Sequence, residues 1–520
     1  MRLLAIIPLL ASLCGCAAER RFDVVIYGGT SAGVIAAAKI ASLGKSVVLI
    51  EPGHHLGGLS AGGLGATDIG NKAAIGGMAR DFYCRVGSKY GQAEAWTFEP
   101  HVAESVFGEI IGAAGITVVM GERLDRDARL KMHGTRVASI MMISGRRYSG
   151  RIYLDCSYEG DLMAAAGVSH TIGRESNATH GETLNGVQVA NATKHQFSVP
   201  VSAYRIAGDP TSGLLPGIEA APPEADGSGD HRVQAYNFRM CLTDVASNRR
   251  AWEKPADYDE SRYELLLRNF EAGDARLPIH SVMMPKRKTD TNNNGAFSTD
   301  FIGANYSYAA ASDADRLKII AAHLSYQKGL MWTLAEHPRV PAKIREHFQN
   351  WGPARDEFVE HDNWPHQLYV REARRMVSDY VMTQDNCQGR RRADDPVGLA
   401  AYTMDSHNVR RYVDAAGNVR NEGDVQVGGF PPYEISYRAI VPRRTECTNL
   451  LVPVCLSASH IAYGSIRMEP VFMVLAESAA TAACMAIDGD LDVQAVDQHA
   501  LGGALQQAGQ VLTWPAQSKE

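Results

Sequence analysis

The sequence predicts an α/β protein: a Rossmann-like dinucleotide-binding domain, built as a βαβ unit on a parallel sheet, with an inserted α+β substrate domain. Three observations predict it. Residues 22–27 and 46–50 are short apolar runs, right for strands buried on both faces of a parallel sheet. Between them, the turn Gly-Gly-Thr-Ser-Ala-Gly at 28–33 opens an apolar, alanine-rich stretch at 34–43 that Gly44 closes, as expected of a helix packed on that sheet. Glu51 ends the second run about 20 positions after the glycines, the place of the acid that meets a ribose.

Each part has a physical use. A glycine turn lets the backbone approach a pyrophosphate, and the following helix offers free N–H groups and a positive dipole end to that anion. Gly28, Gly29, Thr30, Ser31, Ala32 and Gly33 form this cradle, with Thr30 where a middle glycine is usual. Glu51 accepts from ribose hydroxyls and repels a 2′-phosphate, which disfavours NADP. A second glycine-rich run follows at once, from Pro52 through Gly57, Gly58, Leu59 and Ser60.

Composition bounds the rest. The chain has 520 residues, 45% hydrophobic and 21% charged, enough for two or three domains. A net charge of -6 without a long basic run excludes nucleic acid as the expected partner. Arg2 and an apolar stretch of about a dozen residues lead to Leu13-Cys14-Gly15-Cys16, which looks like a bacterial lipobox with Cys16 as the lipidated residue. An ordinary secretory signal is the alternative. Export to the bacterial cell envelope, with membrane attachment by lipid anchor only, is the expectation. No apolar stretch of ~20 residues is seen after the signal, so no membrane span is expected. The seven remaining cysteines are scattered, without Cys-x-x-Cys, against a disulfide framework, a zinc site or an iron–sulfur site; no metal is expected.

Glu51 followed by Gly57 and Gly58 resembles FAD-dependent oxidoreductases of the glutathione-reductase-like superfamily. YEGDLMAAAGV, FRMCLTD, PHQLYVREARRMVSDYVMT, MDSHNVRRYV, ISYRAIVP and SASHIAYGSIRMEPVFMVLAESAATAA extend the likeness over almost the whole chain, to one bacterial FAD-dependent oxidoreductase family whose members often carry the label xanthan lyase. Nothing in the residues specifies lyase chemistry. More remotely, the flavin part resembles the flavin-carrying polypeptide of heterodisulfide reductase, without its ferredoxin-type cysteines.

The resemblance implies FAD as cofactor. It also implies that Cys156 and Ser157 form a turn touching it, and that Gly464, Ser465, Ile466 and Arg467 lie beside the flavin ring, where relatives usually have a Gly-Arg pair in place of Pro453-Val454-Cys455. Buried packing explains Cys156 better, and helix capping explains Glu159 and Asp161.

Domain limits follow. Residues 1–16 read as a signal, 22–167 as the first part of the FAD-binding domain, 168–358 as the inserted domain, 359–490 as the return and closing part, and 491–520 as a tail. Strands are expected at 116–120, 138–143, 151–154, 203–206, 233–241 and 449–454, and helices at 103–114, 310–336 and 468–487. Residues 208–230 and 286–305 read as loops, the latter either ligand-binding or solvated, and 455–466 as turn-rich. In 366–383, Arg371 and Arg375 share one face of a helix, or the arginines hold an anionic substrate or the flavin.

For chemistry, His460 and Arg467 lead, His460 as a base for a substrate hydroxyl and Arg467 as support for the flavin anion. His407 is a second base, Arg371 a further candidate, and Tyr437 and Arg438 possible pocket residues. The expected function is oxidation of a small polar substrate, such as a sugar or glycoside, by hydride transfer to flavin, with an unknown electron acceptor. Two alternatives stay open: a lyase or hydrolase working through a transient keto-sugar without net redox, and a non-catalytic FAD-containing binding protein. His54 and His55 are candidate flavin attachment points, or loop histidines.

Overall fold

The computed structural model describes residues 20–128 and 130–515; the signal reading and Cys16 lie outside the described residues. Strand β1 (Arg20–Tyr27), helix α1 (Ser31–Ser42) and strand β2 (Val47–Glu51) form the expected βαβ unit. Helices α2 (Gly77–Lys89) and α3 (Pro100–Ala114) lead to β3 (Thr117–Met120), and β4 (Lys131–His133), β5 (Arg136–Met141) and β6 (Arg147–Asp155) follow. The sheet order is β3-β2-β1-β6-β5-β4. From β3 to β6 the pairing is parallel, with Tyr27 opposite both Ile50 and Asp155. That register decides where a ligand goes. The turns after β1, β2 and β6 all leave from one edge, the carboxyl end of the sheet, where open α/β sheets bind.

The inserted part holds a four-stranded antiparallel sheet, β7 (Met240–Thr243), β8 (Ile279–Met284), β9 (Lys288–Asn293) and β10 (Gly352–Pro353), in the order β10-β7-β9-β8. Helix α4 (Asp313–Glu336) runs beside it, with its N-cap Ser312 accepting from Asp315 N–H. The chain then returns. Strand β11 (Leu450–Leu451) pairs with β6, helix α5 (His460–Ile466) follows, and helix α6 (Glu469–Gly489) packs along α1.

Several expectations need correction. Residues 203–206 form no strand, only an isolated bridge from Tyr204 to Leu214, and 233–241 becomes strand only at Met240. Residues 288–293 are a central strand, not loop. Every residue is polar, but each finds a buried partner: Lys288 meets Glu99, Asp356 and Glu357, and Asp290 takes two bonds from Arg239 at 2.8 and 2.7 Å. Residues 366–383 are extended rather than helical, so Arg371 and Arg375 do not share a helical face. Each goes to a different partner, Asp300 for Arg371, Asp161 for Arg374 and Glu175 for Arg375. The segment read as turn-rich contains α5, capped by Ser459. Helix α6 is long and apolar enough to cross a membrane by length and composition, although the sequence reading expects no such stretch. Of its apolar window 94% is buried inside the protein, as in a core helix.

Among the described residues, all seven cysteines are free. One group of potential metal ligands, Glu99, His101 and Glu357, gathers within 4.8 Å. Lys288 Nζ stands 2.7 and 2.6 Å from the two glutamates, so the cation there is built in.

Candidate active site

The glycine turn is shaped by backbone contact. Gly28 has φ +102, and a Cβ on it would lie 2.6 Å from Ser157 N; a Cβ on Gly33 would lie 1.9 Å from Gly28 O. Thr30 explains the missing middle glycine. Its hydroxyl donates to Cys156 O at 2.8 Å and accepts from Gly33 N–H at 3.3 Å, capping α1 and tying it to the turn after β6. Cys156 itself is buried, and its thiol is pushed up by burial, as in a packing cysteine.

Glu51 accepts from Gly29 N–H and Gly53 N–H, one on each oxygen, at 2.6 Å. Burial pushes its carboxyl up to about 7 against those two donors. Two lone pairs remain for further donors. Gly28, Thr30, Glu51, Pro52 and Ser157 line a cleft of about 190 Å³ along this edge, joined from the inserted part by Tyr308 and Arg316.

Glu469, at the start of α6, gathers the surrounding turns. It accepts from Ser31 Oγ at 2.6 Å, Tyr158 Oη at 2.7 Å and Ser60 Oγ at 3.2 Å. Tyr158 Oη in turn accepts from Leu59 N–H at 2.8 Å. Burial raises the Glu469 carboxyl, and the hydroxyl donors oppose that. Glu469→Ala would leave three buried hydroxyls without their acceptor. A destabilisation of about 2–4 kcal/mol is expected in urea unfolding of the apoprotein; a change under 0.5 kcal/mol would contradict this role.

A gap of about 10 Å³ lined by Leu59, Tyr369, Arg371, Arg467 and Glu469 shares Tyr158 with the cleft. A chamber of about 550 Å³ follows on its other side. Asp68 borders both gap and chamber. Arg467 donates to Tyr369 Oη at 2.8 Å and to Asp405 O at 3.1 Å. Arg371 faces Asp300 at 3.1 Å, and burial holds its guanidinium below the usual arginine range. The Nε–H groups of both arginines are buried without partners.

The chamber is polar. Asn292, Asn293, Asn294, Gln426, Asp405 and His407 are among its walls, with Trp96 and Tyr402 as aromatic surfaces. His407 Nδ1 lies 2.7 Å from Asp300 Oδ2, and its Nε2 is 3.5 Å from Asp405 Oδ2. Burial and Arg371 oppose its charged form, but Asp300 and Asp405 outweigh them and hold the imidazole above the ordinary histidine value. Asp424 sits nearby, pushed up to about 7 by burial.

His460 is placed elsewhere. Its Nδ1 meets Glu372 Oε2 at 2.7 Å, its Nε2 meets Ser406 Oγ at 2.9 Å, and burial lowers it to about 3. It is not among the residues lining the chamber or the gap. Gly464, Ser465 and Ile466 are buried within α5, Ser465 donating to Tyr402 O and Gly464 packed on Asp405. Of that group, Arg467 alone borders the gap. Tyr437 and Arg438 line a separate cavity of about 420 Å³. Gly29, Ser31, Ala32, Gly33, Gly57, Gly58 and Ser60 shape the cradle from behind rather than lining the cleft. A Cβ on Gly58 would lie 2.2 Å from Tyr158 Oη, and one on Gly57 would strike Phe107.

The residues fit FAD by their chemistry rather than by open volume. A carboxylate with spare lone pairs suits a ribose, the start of α1 suits a pyrophosphate, and two buried arginine N–H groups without partners suit the carbonyl and nitrogen edge of a flavin. Glu51→Gln is expected to weaken FAD retention by roughly 10- to 100-fold in a dilution assay of flavin fluorescence; unchanged retention would contradict the assignment.

The FAD dependent oxidoreductase family model matches residues 23–507. No curated protein matches the chain. Similar solved structures include a flavin-containing monooxygenase from Stenotrophomonas maltophilia, 14% identical over 31% of this chain and 43% of that one, with a TM-score of 0.21. Others are an L-amino acid deaminase from Proteus vulgaris, 13% over 31% and 54% with a TM-score of 0.24, and a flavoprotein/dehydrogenase from Cytophaga hutchinsonii, 15% over 29% and 43% with a TM-score of 0.22. The chain spans between 35% and 57% of the length of the first similar structures compared. Matched from the first strand to beyond the closing helix, the chain belongs to the FAD dependent oxidoreductase family and uses FAD as its cofactor.

Proposed function

We propose that the enzyme oxidises a hydroxyl of a neutral polyhydroxylated substrate, a sugar or glycoside, held in the chamber. The supporting observation is the His407–Asp300 pair in the wall of a 550 Å³ chamber that shares Asp68 with the gap lined by Arg467 and Glu469. Asparagine and glutamine amides with aromatic surfaces match the many hydroxyls and apolar faces of a sugar. The acids Asp68, Asp290 and Asp405 offset Arg239 and Lys72 on the walls, which favours a neutral ligand over an anionic one.

When bound, FAD supplies the hydride acceptor. The chain's own residues do the rest. Asp300 fixes the ring of His407 through Nδ1, leaving Nε2 to take the hydroxyl proton. Arg467, steered by Tyr369 and Asp405, would offset negative charge on the bound flavin. A diffusible acceptor or oxygen takes the electrons. Export and anchoring through Cys16 belong to the same reading, supported by the Leu13-Cys14-Gly15-Cys16 segment.

The test is a pH profile with neutral, acidic and amino sugars. The proton acceptor must start unprotonated, so kcat/KM rises with pH across the acid limb. The raised His407 places that limb above the ordinary value of about 6.5, with Asp424 titrating as part of the same group. Asp300→Asn removes a carboxylate that favours the imidazolium, so the limb moves to lower pH and the plateau falls. Preference for acidic sugars, or a limb that Asp300→Asn leaves in place, would contradict the reading.

A further inference from the structure

Three imidazoles meet at the outer rim of the cofactor cleft. His55 Nε2 and His361 Nε2 face each other at 3.0 Å. His55 Nδ1 meets Glu104 Oε1 at 2.8 Å. The His366 ring stacks on His55, with centroids 3.9 Å apart and an interplanar angle of 10°, and lies 5.8 Å from His361. Neither ring nitrogen of His366 has a partner, although both are buried. The reaction proposed above uses none of these groups.

Two facing imidazole nitrogens at 3.0 Å either share a proton or share a cation. Ligands at ~2.0–2.1 Å from one ion stand about that far apart when they are adjacent. Further features favour the cation. Glu104 on the opposite nitrogen of His55 is the carboxylate partner that metal-bound histidines usually have, since it fixes the ring and frees Nε2. The turn presenting His361 is held open in an uncommon conformation: Phe358, Asp362 and Asn363 all have positive φ, at 51°, 60° and 60°. Asn363 pins it by donating to Arg355 O and Glu357 O, and Asp362 pairs with Arg250 and Lys328. His366 then offers nitrogens that nothing else satisfies.

We propose that His55, His361 and, after a turn of its ring, His366 bind one divalent late transition-metal ion of the copper or zinc class, with Glu104 orienting His55. Imidazole donors select such ions over magnesium or calcium. The nearby Glu99–His101–Glu357 group does not compete, because Lys288 already fills it. An ion here ties the loop after β2, which borders the cleft at Pro52 and Gly53, to the segment that borders it at His366. It fastens the two rims of the cleft where Glu51, Pro52 and Gly53 line it.

The experiment is calorimetric titration of tag-free, FAD-loaded protein, first stripped with chelator, with copper(II) or zinc chloride. One equivalent is expected to bind, with nitrogen hyperfine structure in the copper EPR spectrum. His361→Ala changes an exposed side chain and is expected to keep the flavin spectrum while weakening the ion about 100-fold or more. Glu104→Gln is expected to weaken it 10- to 100-fold. Should the wild type bind no stoichiometric ion, or should His361→Ala bind copper with the same affinity and EPR signal, the site is overturned.

Discussion

His407→Ala is expected to lower kcat/KM for the substrate by roughly 100- to 10,000-fold, the usual loss when a positioned base is removed. The loss falls mainly on kcat, because the imidazole is needed when the hydroxyl proton leaves, whereas the amides and aromatic walls of the chamber still hold the substrate. Flavin content stays at the wild-type level, since His407 borders the chamber and not the cofactor cleft. Some stability is lost as well. Asp300 keeps Arg371 as a partner, but Asp405 loses one of its two cationic neighbours, at a cost of about 1–3 kcal/mol. Arg467 remains beside it. His460→Ala makes the informative comparison. It removes the partner of Glu372 and Ser406 and lowers stability, while the per-flavin kcat of the folded fraction changes less than tenfold. If His460→Ala abolished turnover in fully folded, flavin-loaded protein while His407→Ala did not, the base would be reassigned. Activity assays normalised to bound flavin, with urea melts alongside, separate the two cases.

Gly33→Ala is expected to abolish flavin binding and to destabilise the chain by more than about 3 kcal/mol. One methyl group is enough because its position, 1.9 Å from Gly28 O, is occupied by backbone rather than by a side chain that can turn aside. Relief requires α1 to move off β1, and α1 is buried from Ser31 to Ala38 and packed on α6 and α3. Gly112→Ala provides the control. It lies in α3 with nothing within 4 Å of the added Cβ, so the usual helix preference for alanine applies, and a gain of about 0.5–1 kcal/mol is expected. Urea unfolding and the flavin absorbance of both variants check the pair. Equal effects from the two substitutions would contradict the close-contact account.

These two sites also show what the residues reveal without a structure. The cradle was legible because its constraints are local: strand, turn, helix and acid lie within about 30 consecutive positions, and Gly33 meets Gly28 five residues away. Helix α6 was legible from its apolar composition. The chamber was not. His460 stands among small and apolar residues and His407 among polar ones, but neither stretch shows which ring faces a cavity. The difference is made by Asp300, which reaches one ring from over 100 positions away, and by Glu372 and Ser406, which enclose the other. Strand β9 was hidden for the same reason. Six polar residues in a row read as solvated, and they are buried only because Glu99, Arg239 and Glu357 come to them from distant parts of the chain. In 366–383 the four-residue spacing of Arg371 and Arg375 imitated a helix, but Asp300 and Glu175 on other segments take the two side chains, and Arg375 pairs locally with Glu372. Glu469 carried no signal beyond its place at the start of a helix, and its role appears only where Ser31, Ser60 and Tyr158 converge on it.

The central claim is that FAD runs along the cleft and meets a hydroxylated substrate in the chamber beyond Arg467. Its most direct test is the visible spectrum of the flavin-loaded protein, recorded without oxygen while neutral sugars and glycosides are added one at a time. Bleaching of the flavin bands by one of them, with one equivalent of oxidised sugar formed per flavin and with bleaching slowed at least 100-fold in His407→Ala, is the predicted result. A protein that binds no flavin when FAD is supplied, or flavin bands that a tightly bound sugar leaves unchanged, would contradict it.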